Sequence, residues 1–114
     1  MTYQVYSLDA LADELLGKAP TAHASRSAKT VQGGGGKPLA QTMIALDAGT
    51  SLGEHTNPGA ASVLVVRGTV GFDYDGKSWT AQPYELFEVP EDGAYTIKAV
   101  DQAVILLTIA RQLH

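Results

Sequence analysis

Two closely spaced residues of this sequence, His55 and Asn57, carry groups suited to acid–base catalysis or to ligand binding. Tyr95 adds a third such group further along the chain. His55 and Asn57 are two positions apart, and alternate residues of a β-strand project from the same face. An imidazole titrates near neutral pH, whereas a carboxamide and a phenol both donate and accept hydrogen bonds. A strand at this point would therefore present an imidazole and a carboxamide side by side.

Gln41 is a further candidate. It alternates with Leu39, Met43 and Ala45, so the four residues would share one strand face that is otherwise apolar. A glutamine on such a face would line a pocket. The same pattern also fits a polar residue on an exposed strand edge, and both alternatives stay open.

A short amphipathic helix is predicted near the N-terminus. Ser7 is a suitable N-cap, and Gly17 is a suitable end for the helix. The leucines between them recur at spacings of three and four and so share one face: Leu8, Leu11 and Leu15. We expect residues 1–25 to form this helix and a lead-in segment.

From Arg26 onward the apolar residues alternate with a period of two, and Gly and Pro interrupt the pattern at short intervals. Strands are predicted at residues 39–46, 62–66, 70–74, 86–89, 94–99 and 103–109. Asp75-Gly76 is typical of a two-residue hairpin turn. Residues 103–107 are apolar on both strand faces, so both faces should be covered. Many short strands favour a sandwich or barrel over a βαβ fold.

The segment from Gly49 to Gly68 resembles the first conserved motif of the cupins, a superfamily of small β-barrels. His55 and Pro58-Gly59 keep the spacing of that motif, and Pro90 marks a weaker second motif. The resemblance covers residues 41–109.

This resemblance implies an all-β fold: a double-stranded β-helix, also called a jelly roll or cupin barrel, with one short N-terminal α-helix. The barrel would occupy residues 26–114, and the helix and lead-in segment residues 1–25, within a single domain.

Cupins commonly hold a metal through a His-x-His pair, a Glu and a later His. The corresponding positions here are His55, Asn57, Ala61 and Tyr95. An alanine cannot bind a metal, an amide is a poor neutral ligand, and a phenol must first lose a proton of ordinary pKa about 10. One imidazole does not hold a transition metal tightly, because affinity depends on the number and type of ligands. We predict no bound metal and no cofactor.

The resemblance also places His55, Asn57 and Tyr95 on the inside of the barrel. They would either satisfy one another as a polar patch or, together with Gln41, line a pocket that binds a small organic molecule. The alternative is a small enzyme, because metal-free cupin epimerases use a His base and a Tyr acid in a similar arrangement. A metal-dependent cupin that recruits an unexpected ligand is a further form of this alternative.

Charge and composition exclude several classes of partner. The chain has 114 residues, a net charge of −4 and eight scattered basic residues, so it lacks the basic patch that nucleic acids require. No apolar stretch approaches the roughly 20 residues that span a bilayer, and the N-terminus lacks the features of a signal peptide. We expect a cytoplasmic protein without nucleic-acid or membrane partners.

A homodimer is also expected. Small single-domain cupins commonly pair, and the segment from Thr21 to Val31 alternates like a strand without belonging to an obvious hairpin. Such a strand needs the edge of a sheet, its own or a partner's. A two-fold symmetric dimer is the commonest assembly of identical chains.

Overall fold

The structure, a computed structural model, describes residues 4–19, 26–33, 36–52, 59–90 and 94–111. Within these ranges the chain forms one helix and eight strands in two antiparallel sheets, which confirms the predicted all-β architecture. In chain order the elements are α1 (Leu8–Lys18), β1 (Arg26–Gln32), β2 (Leu39–Leu46), β3 (Gly59–Arg67), β4 (Val70–Tyr74), β5 (Lys77–Ala81), β6 (Leu86–Val89), β7 (Tyr95–Ala99) and β8 (Ala103–Arg111).

Helix α1 begins at the predicted cap. The Ser7 hydroxyl accepts a hydrogen bond from the backbone N–H of Ala10 at 3.2 Å. The helix passes through Gly17 and ends at Lys18, one residue later than predicted. In the described part of the chain, no helix is long and apolar enough to cross a membrane.

The five-stranded sheet has the strand order β1-β2-β8-β3-β6, and the three-stranded sheet has the order β5-β4-β7. Strand β1 pairs antiparallel with β2 of its own chain, with Arg26 opposite Leu46. The strand-like segment that the sequence left without a hairpin therefore adds to its own sheet, at least over residues 26–32. This pairing removes the need for a partner's sheet edge as the reason for a dimer.

Alternation along β2 divides its apolar side chains between two cores. Ile44 and Leu46 join the core between the two sheets, which we call the barrel interior. Met43 and Ala45 lie on the opposite, outer face, where they pack with α1. The helix face that contacts them consists of Leu11, Ala12, Leu15 and Ala19. The outer face of the five-stranded sheet is thus partly covered by the helix.

Strand β8 contributes to both cores, as its doubly apolar pattern predicted. Ala103 and Ile105 belong to the barrel interior, whereas Val104 packs under α1. All three are fully buried. On the far side of the barrel, Asp75 and Gly76 both have positive φ, 54° and 72°, as expected for the Asp-Gly hairpin turn between β4 and β5.

Candidate functional site

The structure brings together only part of the predicted site. His55 and Asn57 lie outside the described residues, so their placement stays a prediction. Tyr95 begins β7 and belongs to the barrel interior, where it is 6% exposed. Burial raises the pKa of the Tyr95 phenol above its ordinary value of 10.0. The phenol is therefore protonated at neutral pH and keeps its hydrogen-bond donor.

Gln41 lies on the other side of the five-stranded sheet. It shares the outer face with Met43 and Ala45, and its Nε2 donates a hydrogen bond to Thr108 Oγ1 at 3.1 Å. Tyr95 lies in the barrel interior with Ile44 and Leu46. Because adjacent strand positions face opposite ways, Gln41 does not line a pocket with Tyr95. Gln41 does not lie on an exposed strand edge either, because β2 pairs with both β1 and β8 and Gln41 is half-buried on the outer face.

Among the described residues, a cleft opens where an edge strand of one sheet lies next to an edge strand of the other sheet. Strand β5 is the edge of the three-stranded sheet, β6 is the edge of the five-stranded sheet, and the turn Gln82–Glu85 connects them. The cleft has a volume of about 330 Å³. We call it the aromatic cleft, and its lining residues are Phe72, Trp79, Thr80, Ala81, Glu85, Leu86 and Phe87.

Phe72 is the central ring of the aromatic cleft. Trp79 lies directly across the β4–β5 hairpin from it, with 5.7 Å between ring centroids. Phe87, from the opposite sheet, lies 4.8 Å from Phe72, and Tyr95 lies 6.3 Å from it. Phe72 is 7% exposed and Trp79 is 49% exposed. The rings thus form a continuous path from solvent at Trp79 to the barrel interior at Tyr95.

The turn between β5 and β6 positions the Glu85 carboxylate, which lines the aromatic cleft. Glu85 N–H donates to the Gln82 carbonyl at 2.9 Å, and the Glu85 carboxylate accepts from Gln82 N–H at 2.7 Å. Tyr84, at the third position of the turn, has a φ of 70°, a left-handed conformation that usually requires glycine. Tyr84 N–H and the Glu85 carbonyl both bond to the backbone of Val65 on β3.

Solved structures share this architecture. A protein of unknown function from Rhizobium leguminosarum matches with a TM-score of 0.71 at 18% identity over 98% of this chain and 100% of that one. A cupin superfamily protein from Desulfitobacterium hafniense matches with a TM-score of 0.70 at 14% identity over 76% of this chain and 78% of that one. An RmlC-like cupin from Shewanella frigidimarina matches with a TM-score of 0.68 at 17% identity over 78% of each chain. The protein has a cupin fold.

At these identities the likeness shows the fold alone. No protein-family model matches the sequence, and no curated protein matches it. The predicted resemblance to the cupins is confirmed at the level of the barrel, whereas the chemistry must be argued from this chain's own residues.

The cupin fold raises the question of a metal, and the described residues do not fit one. Ala61 and Tyr95, at two of the four positions where cupins commonly place ligands, both lie in the barrel interior. Ala61 has no donor atom, and the raised pKa of the Tyr95 phenol opposes the deprotonation that metal binding would need. Among the described residues, no group of three or more His, Cys, Asp or Glu side chains is placed to hold a metal ion.

Sequence reasoning missed most of the aromatic cleft. The alternation of Val70, Phe72 and Tyr74 predicted that one face of β4 is buried, and Asp75-Gly76 predicted the hairpin that brings Trp79 opposite Phe72. These two signals could have identified half of the cleft. Phe87 belongs to the other sheet, and the strand pattern alone does not predict which residues of the two sheets pack against each other.

Proposed function

We propose that the protein binds a small organic molecule with an apolar body in the aromatic cleft. The observation that carries the proposal is a space of about 330 Å³ walled by the rings of Phe72, Trp79 and Phe87. Sites for small molecules typically occupy roughly 300–1,000 Å³ and combine apolar walls with a few polar groups that orient the ligand. Here the polar groups are Thr80 and Glu85.

The charge of the lining favours a neutral or cationic ligand. Glu85 is the one ionisable side chain among the described lining residues. A carboxylate beside three aromatic rings suits an ammonium group, which is attracted both to the negative charge and to the ring faces. A phosphate ester would need Arg, Lys or a helix N-terminus, and the described lining supplies none of these.

The predicted polar pocket belongs to the same proposal. Strand β7, which carries Tyr95, pairs with β4 on the side opposite to β5, which carries Trp79. Both rings lie near Phe72, so a pocket formed by His55, Asn57 and Tyr95 would adjoin the aromatic cleft at the Phe72 ring. We infer that a longer ligand would place its apolar body against Trp79 and a hydrogen-bonding end near the Tyr95 phenol.

Trp79 makes the proposal directly testable because it is the only tryptophan in the chain. Three compounds of matched size and different charge serve as probes: benzyl alcohol, benzylamine and benzoate. Titration of each probe should change Trp79 emission, with the affinity for benzylamine and benzyl alcohol exceeding that for benzoate. Glu85→Gln should weaken benzylamine binding by about tenfold and leave benzyl alcohol unchanged, in line with the loss of about 1.4 kcal/mol.

Glu88→Gln is the matched control for Glu85→Gln. It also removes a carboxylate near β6, but Glu88 lies on the outer face, away from the rings. It should leave the affinity for all three probes unchanged. Equal or tighter binding of benzoate, or Trp79 emission that no probe alters, would contradict the proposal. Binding that weakens with Tyr95→Phe but leaves Trp79 emission unchanged would place the ligand in the deeper pocket alone.

A further inference from the structure

The two sheets have four edge strands, and these edges differ in how they are covered. Strand β1 carries Arg26 and Lys29, and cationic side chains on an edge discourage the addition of another strand. The edge of β7 is bonded to a segment that precedes β3: Gly49 N–H donates to the Ala99 carbonyl at 2.8 Å, and Ala99 N–H donates to the Thr50 carbonyl at 2.9 Å. Among the described residues, β5 and β6 each pair with one strand and have no such cover on their other side.

Strand β6 presents unpaired backbone groups at two residues. In an antiparallel pair, facing residues alternate between positions that exchange two hydrogen bonds and positions that exchange none. Val65 on β3 exchanges two backbone hydrogen bonds, of 2.7 and 3.0 Å, with the turn immediately before β6. Two positions further along the pairing, Phe87 is the next residue to bond to β3. The N–H and C=O groups of Leu86 and Glu88 therefore point towards the free edge.

The side chains of β6 create three different surfaces along this edge. Phe87 turns inward, is half-buried and lines the aromatic cleft together with Trp79. Leu86 and Glu88 alternate with it and turn outward, where Leu86 is 66% exposed and Glu88 is also exposed. A molecule that pairs with the edge meets an apolar outer surface, then the aromatic cleft, then a negative charge.

We propose that β6 is a docking edge for an extended peptide segment, which adds a sixth strand to the five-stranded sheet. Donors and acceptors at alternate residues of a strand are matched by another extended backbone. In strand addition the main-chain hydrogen bonds supply the affinity, and pockets for alternate side chains supply the specificity. The inference rests on the proposed function, because one side chain of the peptide is the apolar body that occupies the aromatic cleft.

The surfaces along β6 define the sequence of the peptide. Antiparallel pairs are the commoner arrangement, and directly opposite residues share a face. The peptide residue opposite Glu88 is then basic, the next one is aromatic and enters the cleft opposite Phe87, and the third is aliphatic and packs beside Leu86. From N- to C-terminus the order is basic, aromatic, aliphatic, of which Lys-Phe-Leu is a simple example.

Two features favour a peptide over other occupants of this edge. A small molecule or a lipid chain fills the aromatic cleft but leaves the backbone groups of Leu86 and Glu88 in water. An anionic membrane or a nucleic acid is repelled by the net charge of −4 and by Glu88, whereas the same charges attract a basic peptide.

Titration of the full chain with the peptide acetyl-Thr-Thr-Lys-Phe-Leu-Thr-Thr-amide tests the proposal. Binding should change the emission of Trp79. It should also slow hydrogen exchange of the Leu86 and Glu88 amides, because their N–H groups gain acceptors. The reversed peptide, with Leu-Phe-Lys at its centre, has the same composition. It should bind about fivefold more weakly, because both outward side chains lose their cross-strand partners.

N-Methylation of the peptide separates backbone pairing from simple filling of the cleft. In the antiparallel arrangement the lysine and the leucine of the peptide donate their backbone N–H groups to β6, whereas the phenylalanine N–H points away from β6. A methyl group on either of the first two nitrogens should weaken binding by about tenfold or more, because it removes a hydrogen bond and blocks close approach. The peptide with N-methylphenylalanine is the matched control and should bind as the unmodified peptide does.

A charge substitution tests the end of the edge that lies furthest from the turn. Glu88→Gln should weaken binding of the peptide by about threefold, because it removes an opposite-charge pair across two strands. The same variant should leave the affinity for benzylamine and benzyl alcohol unchanged, since both probes occupy the aromatic cleft. Asp73→Asn is the matched control, because Asp73 is an exposed carboxylate on the three-stranded sheet. It should leave binding of the peptide unchanged.

Several outcomes would overturn strand addition at β6. These are binding that N-methylation of the lysine and leucine does not weaken, equal weakening by N-methylphenylalanine, equal binding of the reversed peptide, or slowed exchange on β5 instead of β6. Slowed exchange at Leu86 that appears at high protein concentration without peptide would also overturn it, because a second copy of the chain would then occupy the edge. A protein that binds benzyl alcohol but not the peptide contradicts strand addition alone, whereas Trp79 emission that no probe alters contradicts the proposed function as well.

Discussion

The ring centroids of Phe72 and Phe87 lie 4.8 Å apart, although Phe72 belongs to the three-stranded sheet and Phe87 to the five-stranded sheet. The contact closes the barrel on the side of β5 and β6, each of which pairs with one strand of its own sheet and, among the described residues, with no strand of the other sheet. Because Trp79 and Tyr95 also pack against Phe72, this one ring connects the aromatic cleft to the barrel interior.

Phe72 and Trp79 should differ in their contribution to stability. Phe72 is 7% exposed, so Phe72→Ala should lower the free energy of unfolding by about 3–5 kcal/mol through lost burial and the cavity left behind. Trp79 is 49% exposed, so Trp79→Ala should cost about 1 kcal/mol. Urea unfolding of both variants measures the difference. Equal losses would make Trp79 a core residue rather than a wall of the cleft.

Gly68 should tolerate alanine far less well than Gly76. Both have positive φ, 75° and 72°, so an alanine at either costs about 1–2 kcal/mol. A Cβ at Gly68 would also overlap the Gln102 carbonyl oxygen, whereas a Cβ at Gly76 meets nothing within 4 Å. We expect Gly68→Ala to cost about 3 kcal/mol or more, because backbone must move. Similar midpoints in urea for the two variants would contradict the close approach at Gly68.

Tyr84→Gly should stabilise the protein. Tyr84 has a φ of 70° and is 76% exposed, so glycine relieves a left-handed conformation while little packing is lost. The greater flexibility of glycine in the unfolded chain offsets part of this gain. We expect a net increase of about 0.5–1 kcal/mol in the free energy of unfolding. Tyr84→Ala keeps the Cβ and should show no increase, so a gain in both variants would exclude backbone strain as the cause.

The Tyr95 phenol should make stability fall at alkaline pH. Burial raises its pKa in the folded protein above 10.0, so the folded state holds this proton more tightly than the unfolded chain. The stabilisation is present below the unfolded pKa, about 10, and is lost as pH rises towards the folded value. Tyr95→Phe should make the decline shallower by up to about 1.4 kcal/mol per pH unit. Parallel declines for wild type and variant, measured by urea unfolding across this range, would place the phenol in water.

The purified protein should carry no stoichiometric transition metal. Ala61 supplies no ligand atom, and Tyr95 is a buried protonated phenol. Elemental analysis after dialysis without a chelator should find far less than one equivalent of Fe, Mn, Ni or Zn per chain. About one equivalent that disappears in His55→Ala would contradict this prediction.

Much of the fold was predictable because local patterns specify it. Ser7 caps α1 through a contact three residues away, and Asp75-Gly76 forms its hairpin because both residues adopt left-handed conformations at low cost. The period-two alternation of β4 predicted that Val70 and Phe72 are buried on one strand face. The doubly apolar start of β8 predicted that both of its faces are covered.

The site was less predictable because it depends on which face of each strand turns inward and on how two sheets meet. Alternation grouped Gln41 with Met43 and Ala45, but it could not tell that this group lies on the outer face of the sheet while Ile44 and Leu46 face the barrel interior. The contact between Phe72 and Phe87 joins residues of different sheets. The sequence alone therefore determined most of the strands and turns, because these follow from short-range periodicity and turn chemistry, and its resemblance to the cupins implied the barrel. Only the tertiary structure decided which residues share the cleft, because sheet-to-sheet packing is fixed by the fit of all the interior side chains at once.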